Sequence, residues 1–279
     1  MKSPLLSIVI ANYNYGRYVG EALDSVLGQS CQDFELIVID GLSSDNSVEV
    51  IEKYRNRLAY FVSEKDFGQS DAFNKGFSKA KGRLLTWLNA DDVMLPGTIA
   101  GLKSAVAKHP DCEWFVGGAL WLDPEMKVMR AHRACPFSGV RKWCGHVPVW
   151  GPSSFFSRRL LQDVGGVDER FHYTMDSDLW LKFARVCGAR YEVAANYAWG
   201  LRLHPGAKMS GQVFDGDDQQ NPNHPKWDQL KKEHEWMHAG HDVRPWTIWN
   251  RMRAISWPNA LLSRVDTLLW RGKYYKEIG

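Results

Sequence analysis

The chain has 279 residues, of which 44% are hydrophobic and 24% charged, and its net charge is +3 at pH 7. This is the composition of an ordinary soluble globular protein, long enough for one large α/β domain, and so slight a positive balance gives no ground for nucleic-acid binding. The five cysteines (Cys31, Cys112, Cys135, Cys144, Cys187) are odd in number and contain no C-x-x-C pair, which argues against a disulfide framework or a thiolate zinc site and for reduced thiols in a cytosolic setting.

Leu5 to Ile10 reads as a first strand, too short for a signal peptide or a membrane span, and no stretch of about 18 apolar residues occurs anywhere. A polar turn at Asn12–Gly16 and a helix to about Gln29 follow. Phe34 to Ile39 is a second strand ending at Asp40, and Ser43–Ser47 supplies capping residues for a helix to about Arg55. Leu58 to Val62 reads as a third strand, about Ser70 to Ala80 as a helix, and the run from Leu84 as a fourth strand that ends at Asp91. This βαβα order predicts a mostly parallel sheet with helices on both faces and right-handed crossovers. Beyond about residue 110 the pattern loosens. Trp114–Leu122 and Tyr191–Leu203 read as single strands, Ser153–Phe156 as a short one with a helix from about Arg158, and Leu179, Phe183 and Val186 as the apolar face of a helix. Asp215–Pro225 is polar and reads as a loop, and the rest is helical in tendency.

Four strand ends carry polar clusters: Ala11-Asn12-Tyr13-Asn14, Asp40-Gly41, Asp66 to Asp71, and Asn89 to Asp92. In a parallel sheet these ends share one edge, where ligands bind. The last cluster is the most informative. An apolar strand runs abruptly into two adjacent carboxylates, and Pro96 soon after is suited to start a helix. Asp91 and Asp92 either cap that helix or seat a hard divalent cation. No G-x-G-x-x-G follows the first strand and no G-x-x-x-x-G-K-[ST] occurs, which disfavours dinucleotide oxidoreductases and P-loop nucleotidases.

In order and spacing, the segments SIVIANYNYGRYVGEALDSVLGQ, FELIVIDGLSSDNS, DFGQSDAFNKGF, LLTWLNADD and MDSDLWLKFA resemble the family 2 glycosyltransferases of the GT-A fold, bacterial enzymes that build polysaccharides and lipid-linked glycans. The resemblance covers about residues 5 to 210. It implies a GT-A-like α/β catalytic domain over 1–212, with a nucleotide-sugar-binding half (1–110) and an acceptor-binding half (111–212), followed by a loop and helical extension over 213–279. The implied activity is metal-dependent, inverting transfer of a hexosyl or N-acetylhexosaminyl group from a UDP-sugar to a glycan or lipid-linked glycan. A nucleotidyltransferase and a non-catalytic glycan- or nucleotide-binding protein are the alternatives.

Carried over residue by residue, the resemblance implies that Ala11, Asn12 and Tyr13 frame the nucleobase, with Asp40 and Gly41 at the pyrimidine edge. Gln69, Asp71, Asn74 and Lys75 lie near the ribose and diphosphate, Lys75 being equally readable as a solvated charge. Asn89, Ala90 and Asp91 belong to the donor pocket. Asp92 ligates Mg²⁺ or Mn²⁺ directly, Asp91 contacts the ribose or the metal, and His204 helps hold the metal or the diphosphate. Lys208, four residues on, completes a diphosphate clamp. Asp176 is the base that takes the acceptor proton. Asp178 is the alternative base, otherwise a helix-dipole residue. Trp150 stacks on an acceptor sugar or packs inside.

Six of the 13 tryptophans lie between Trp227 and Trp270, and residues 244–279 hold seven basic residues against two acids. Such a tail suits peripheral contact with the cytoplasmic face of a membrane, or helices packing on the catalytic domain or on the second subunit of a homodimer.

Overall fold

The structure is a computed structural model that describes residues 3–137, 149, 151–208, 225–241 and 257–278. Four parallel strands form its centre: β1 (Leu6–Asn12), β2 (Phe34–Asp40), β3 (Tyr60–Ser63) and β4 (Leu84–Asn89), in the spatial order β3-β2-β1-β4. Their near-continuous apolar sequence follows from burial on both faces. Val9, Ile37, Ile39, Leu85 and Trp87 point to one side, against α3 (Gln69–Lys79). Ile8, Ile10, Leu36, Val38 and Leu88 point to the other, against α1 (Val19–Leu27), α2 (Ser47–Glu52) and α4 (Thr98–Lys108). The expected helix start at Pro96 is corrected. Pro96 stays in the turn, because Gly97 takes φ 75° immediately before Thr98 and only then does the helix begin.

The irregular second half adds β6 (Trp114–Val116), β9 (Ser154–Ser157) and β10 (Glu192–Val193) to this sheet, extending its order to β10-β6-β9-β4-β1-β2-β3. β9 runs antiparallel to both β4 and β6. A smaller sheet, ordered β5-β11-β7-β8, is built from β5 (Val93–Met94), β7 (Ala119–Leu122), β8 (Val128–His132) and β11 (Trp199–Arg202). Thus Trp114–Leu122 and Tyr191–Leu203 are not single strands, and each is divided between the two sheets. The first break falls at Gly117-Gly118. A Cβ on Gly118 would lie 2.1 Å from the Asn196 carbonyl oxygen and 2.4 Å from that of His132, so only glycine lets the chain cross between the sheets there.

After β9 come α5 (Arg158–Asp163) and α6 (Met175–Arg185). Trp180 of α6 stacks on Trp87 of β4 with ring centroids 5.3 Å apart and 6° between planes, and on Trp114 of β6 at 5.8 Å. This stack fixes α6 against the strand whose end carries Asp91. Val186, expected on the apolar face of α6, is exposed, because the helix ends at Arg185 and Trp180 fills the core instead. Two helices follow, α7 (Pro225–His241) and α8 (Trp257–Trp270), and 215–224 of the expected loop lie outside the described residues. Among the described residues no helix is long and apolar enough to cross a membrane. Cys31, Cys112, Cys135 and Cys187 are free thiols.

Candidate active site at the strand ends

The carboxyl ends of β1, β2 and β4 lie side by side, with Ala11 paired to Asn89 and Asn12 to Asp40. At the end of β4 the two adjacent acids diverge. Asp92 is buried. Its Oδ2 accepts from Asn89 Nδ2 at 2.7 Å and its Oδ1 from the backbone N–H of Arg202 at 3.0 Å. Burial, then the neighbouring Asp91 charge, push its carboxyl well above the usual range. Asp91 turns toward the cleft, its Oδ2 3.2 Å from Nε2 of His204. Both oxygens of Asp92, expected to ligate the cation directly, accept hydrogen bonds inside the protein, and the carboxylate–imidazole pair beside it is Asp91 with the buried His204.

That pair fits a hard divalent ion. Neighbouring ligands of an octahedral ion with bonds near ~2.1 Å stand about 3.0 Å apart, close to the 3.2 Å found here. Among the described residues no group of three or more His, Cys, Asp or Glu side chains converges as a metal cage. Two protein ligands are what an ion needs when substrate phosphates supply the others.

A chain of hydrogen bonds runs along this corner. Lys208 Nζ donates to Gln69 Oε1 at 3.0 Å, Gln69 Nε2 to Asn89 Oδ1 at 2.8 Å, and Asn89 Nδ2 to Asp92. Gln69 opens α3, Asn89 closes β4, and Lys208 follows β11, so three elements are locked together. Tyr18 packs on His204 with centroids 4.4 Å apart, and the Tyr15 hydroxyl donates to the Gly206 carbonyl at 3.3 Å. Burial lowers the pKa of Lys208 from 10.5 to about 8, against the charges of Glu233, Asp176 and Asp91.

Several expected ligand contacts belong to the scaffold. Asp40 is fully buried. Its Oδ1 accepts from Asn12 Nδ2 at 2.7 Å and Ser43 Oγ at 2.5 Å, and its Oδ2 from Ser43 N at 3.0 Å and Ser63 Oγ at 2.6 Å. Four donors meet on the Asp40 carboxylate, and Asn12, whose buried Oδ1 has no hydrogen-bond partner among the described residues, joins it in tying the strand ends together. Asn74 Nδ2 donates to the Val167 carbonyl at 2.8 Å, and its Oδ1 accepts from the Val167 N–H at 2.9 Å. Lys75 pairs with Glu64 at 3.2 Å and Asp71 at 3.3 Å, and Asp71 also closes its own loop by accepting from the Phe67 N–H at 2.9 Å. Asn74, Lys75 and Asp71, expected near the ribose and diphosphate, thus hold contacts within the protein here. Tyr13 is exposed at the edge, Ala11 lies one residue before the end of β1, and Ala90 is buried beneath the Asn89–Asp92 turn.

Gly41 brings in a residue that sequence reasoning missed. Asp66 Oδ2 lies 2.5 Å from where a Gly41 Cβ would be, while Asp66 Oδ1 accepts from the Gly68 N–H at 2.9 Å. Asp66 thus stands at the edge expected of Asp40. Its place in the third strand-end cluster was the available signal.

Across from this corner, α6 presents Asp176 at its first turn. Asp176 is half-buried, its Oδ1 accepts from the Ser177 N–H at 2.7 Å, and Oδ2 lies beside Gly151. Burial raises its pKa above the usual carboxylate value. Asp178, the alternative base, is buried and pairs with Lys182 at 2.7 Å. Trp150 lies outside the described residues.

The loop leading into α6 is held by a second missed residue, Glu233 of α7. Buried, it accepts from the backbone N–H groups of His172 at 2.8 Å, Tyr173 at 2.8 Å and Thr174 at 2.9 Å, and from Gln229 Nε2 at 2.9 Å. Burial alone would raise its pKa, but these donors hold it below the usual value. No local motif marks Glu233, because its partners lie about 60 residues away. Glu233→Ala leaves three backbone donors without an acceptor and is expected to cost about 3 kcal/mol in chemical denaturation.

A family model for glycosyl transferase family 2 matches residues 7–119. An uncharacterized glycosyltransferase of Rickettsia typhi is 28% identical over 201 residues, covering 68% of this chain and 62% of the relative, so the chain spans less than two thirds of that relative's length. An uncharacterized glycosyltransferase of Mycobacterium tuberculosis is 32% identical over 189 residues, covering 66% of this chain and 71% of the relative. Among solved structures, S. aureus TarS (residues 1–349) in complex with UDP-GlcNAc superposes with TM-score 0.60 at 19% identity, over 74% of this chain and 60% of that one. The mannosyltransferase PcManGT of Pyrobaculum calidifontis, in complex with GDP-Man and Mn²⁺, gives 0.55 at 16% identity over 95% and 84%. These two likenesses bear on the fold and agree with the expected GT-A-like α/β architecture. Together with a 32% identical relative matched over 71% of its own length, the family model over residues 7–119 settles the kinship: the chain belongs to glycosyl transferase family 2.

Proposed function

We propose that the chain transfers a sugar, with inversion, from a nucleoside diphosphate donor, read as a UDP-sugar, to a glycan or lipid-linked glycan. The 1–212 region is read as the catalytic unit, at the cytoplasmic side, where free thiols persist. The observation that carries this reading is the position of Lys208, bonded to the Gln69–Asn89 corner and within electrostatic reach of both Asp91 and Asp176. On this reading Asp91 and Lys208 form a leaving-group side and Asp176 a base side. Asp91 and His204 are the residues to hold Mg²⁺ or Mn²⁺, which when bound supplies Lewis-acid neutralisation of the diphosphate. Lys208 adds a second positive charge there. Asp176, with its raised pKa, takes the acceptor hydroxyl proton as that oxygen bonds to the anomeric carbon. The carbon–oxygen bond to the diphosphate breaks, and the nucleoside diphosphate leaves. Asp66 beside Gly41 reads the base edge, and Tyr13 covers it.

A thermal-shift panel of UDP- and GDP-sugars with Mn²⁺ ranks the donors, and product analysis tests the reaction. Released nucleoside diphosphate is the expected product. Pyrophosphate would point to nucleotidyl transfer, and donor binding without turnover over many acceptors to a binding protein.

The Lys208 charge also predicts a pH limb. Donor affinity should fall as pH rises through about 8, where the folded lysine loses its proton. Stability should move the opposite way. Between about 8 and the ordinary 10.5 the unfolded chain binds the extra proton, so stability rises with pH. Lys208→Arg should abolish the affinity limb near pH 8. Calorimetric titration against pH checks both.

A further inference from the structure

We propose that the outward face of α8 is a seat for an anionic lipid surface. This goes beyond the sugar-transfer reading and does not rest on it. The helix is mounted with its polar side inward. Ser263 Oγ accepts from the Arg133 N–H at 3.0 Å, Thr267 Oγ1 from the Ala131 N–H at 2.9 Å, and Asp266 engages Arg133 and Tyr197. These bonds cover the edge of β8, whose N–H groups would otherwise be open for pairing. The turn after the helix is clipped to the same strand: Gly272 N donates to the Val128 carbonyl at 2.8 Å, Val128 N to the Lys273 carbonyl at 2.8 Å, and Tyr275 is buried in the small-sheet core.

What remains outside is apolar. Leu268 is 79% exposed, Leu269 60% and Leu261 50%, with Leu262 and Val265 also exposed. At 100° per residue these five span an arc of about 120°, an apolar stripe of the kind an ordinary surface helix turns toward its core. Continuous exposed apolar area of this sort marks an interaction site. The charges beside it choose the partner. Asp266 is turned inward and neutralised, and the exposed charges on α8 and the following turn are Arg264, Arg271, Lys273 and Lys276 against Glu277. A two-fold contact between copies would lay this same cationic face on itself, cation against cation. An anionic bilayer takes the leucines at its acyl boundary and neutralises the cations at its headgroups.

The test is flotation of the whole chain with phosphatidylcholine vesicles, with and without phosphatidylglycerol, in the absence of any sugar donor. Truncating the tail would also take Tyr275 from the core, so the discriminating variant is the double substitution Leu268→Glu, Leu269→Glu, with its melting point measured alongside. The native chain is expected to float with anionic vesicles, at least about ten-fold less with neutral ones, and less in high salt. The double variant is expected to lose flotation at an unchanged melting point. Absence of flotation with anionic vesicles, equal flotation of the variant, or sedimentation showing that the substitution dissociates a dimer that never binds vesicles would overturn the proposal.

Discussion

Asp176→Asn is expected to lower turnover by a factor of about 10²–10⁴ while leaving donor and metal affinity in place. The substitution keeps the side-chain shape and the oxygen that accepts from Ser177, and removes only the capacity to take a proton. It also carries an unusual stability signature. A carboxyl whose pKa is raised by burial destabilises the fold wherever it is ionised: its contribution is intact below the ordinary carboxylate range and lost as pH rises through the raised value. A neutral amide escapes that loss, so the variant should melt higher than the parent at neutral pH, with the gap closing in acid. Higher stability with lower kcat separates removal of a base from damage to the fold. Asp178→Asn should do the reverse, weakening the fold by leaving Lys182 with Asp168 alone and sparing turnover per folded molecule. Full kcat in Asp176→Asn, measured by nucleoside diphosphate release, would remove Asp176 from the mechanism.

The contrast between those two acids also marks the limit of what sequence could tell. β1, β2 and β4 were legible because strands covered on both faces exclude polar residues until they end, and those endings mark the sheet edge where the polar clusters gather. Sequence could not say which polar residue at a strand end faces the ligand. Asp91 and Asp92 are neighbours of identical chemistry, yet the Arg202 N–H, on a strand 110 residues later, draws one of them inward. Asp40 and Asn12 look like pocket residues and serve as a clasp between loops, because Ser43 and Ser63 happen to converge on the same carboxylate. Pairings of two residues, such as β5 and β10, carry no periodicity to read. The division of Trp114–Leu122 between two sheets is written only in Gly117-Gly118, whose meaning depends on the distant Asn196 and His132 carbonyls.

The C-terminal helices show the same asymmetry. Their composition announced basic and aromatic residues but not orientation. α7 reaches back to the loop leading into α6 through one buried carboxylate, and α8 lies on the sheet with its polar side. Both readings offered by the tail, packing on the domain and facing a membrane, are compatible once the two sides of α8 are separated.

The corner of β4 carries the second large effect. Asp91→Asn is expected to weaken donor binding in Mn²⁺ about 100-fold, as loss of one charge-assisted contact of about 1.5–3 kcal/mol allows, and to abolish the extra thermal stabilisation that Mn²⁺ adds to the donor. Asp92→Asn should keep the Mn²⁺ response and lose stability instead, the loss of an acceptor outweighing the relief of a buried charge. Its two oxygens serve two donors, Asn89 Nδ2 and Arg202 N, and an amide can accept from only one of them without setting an N–H against the other. The pair of variants is informative because charge and size change identically in both. Only the direction in which each side chain points differs, toward His204 for one and into the Asn89–Arg202 clasp for the other. A Mn²⁺ response lost in Asp92→Asn and retained in Asp91→Asn would return the cation to Asp92 and require the Arg202 bond to break on binding.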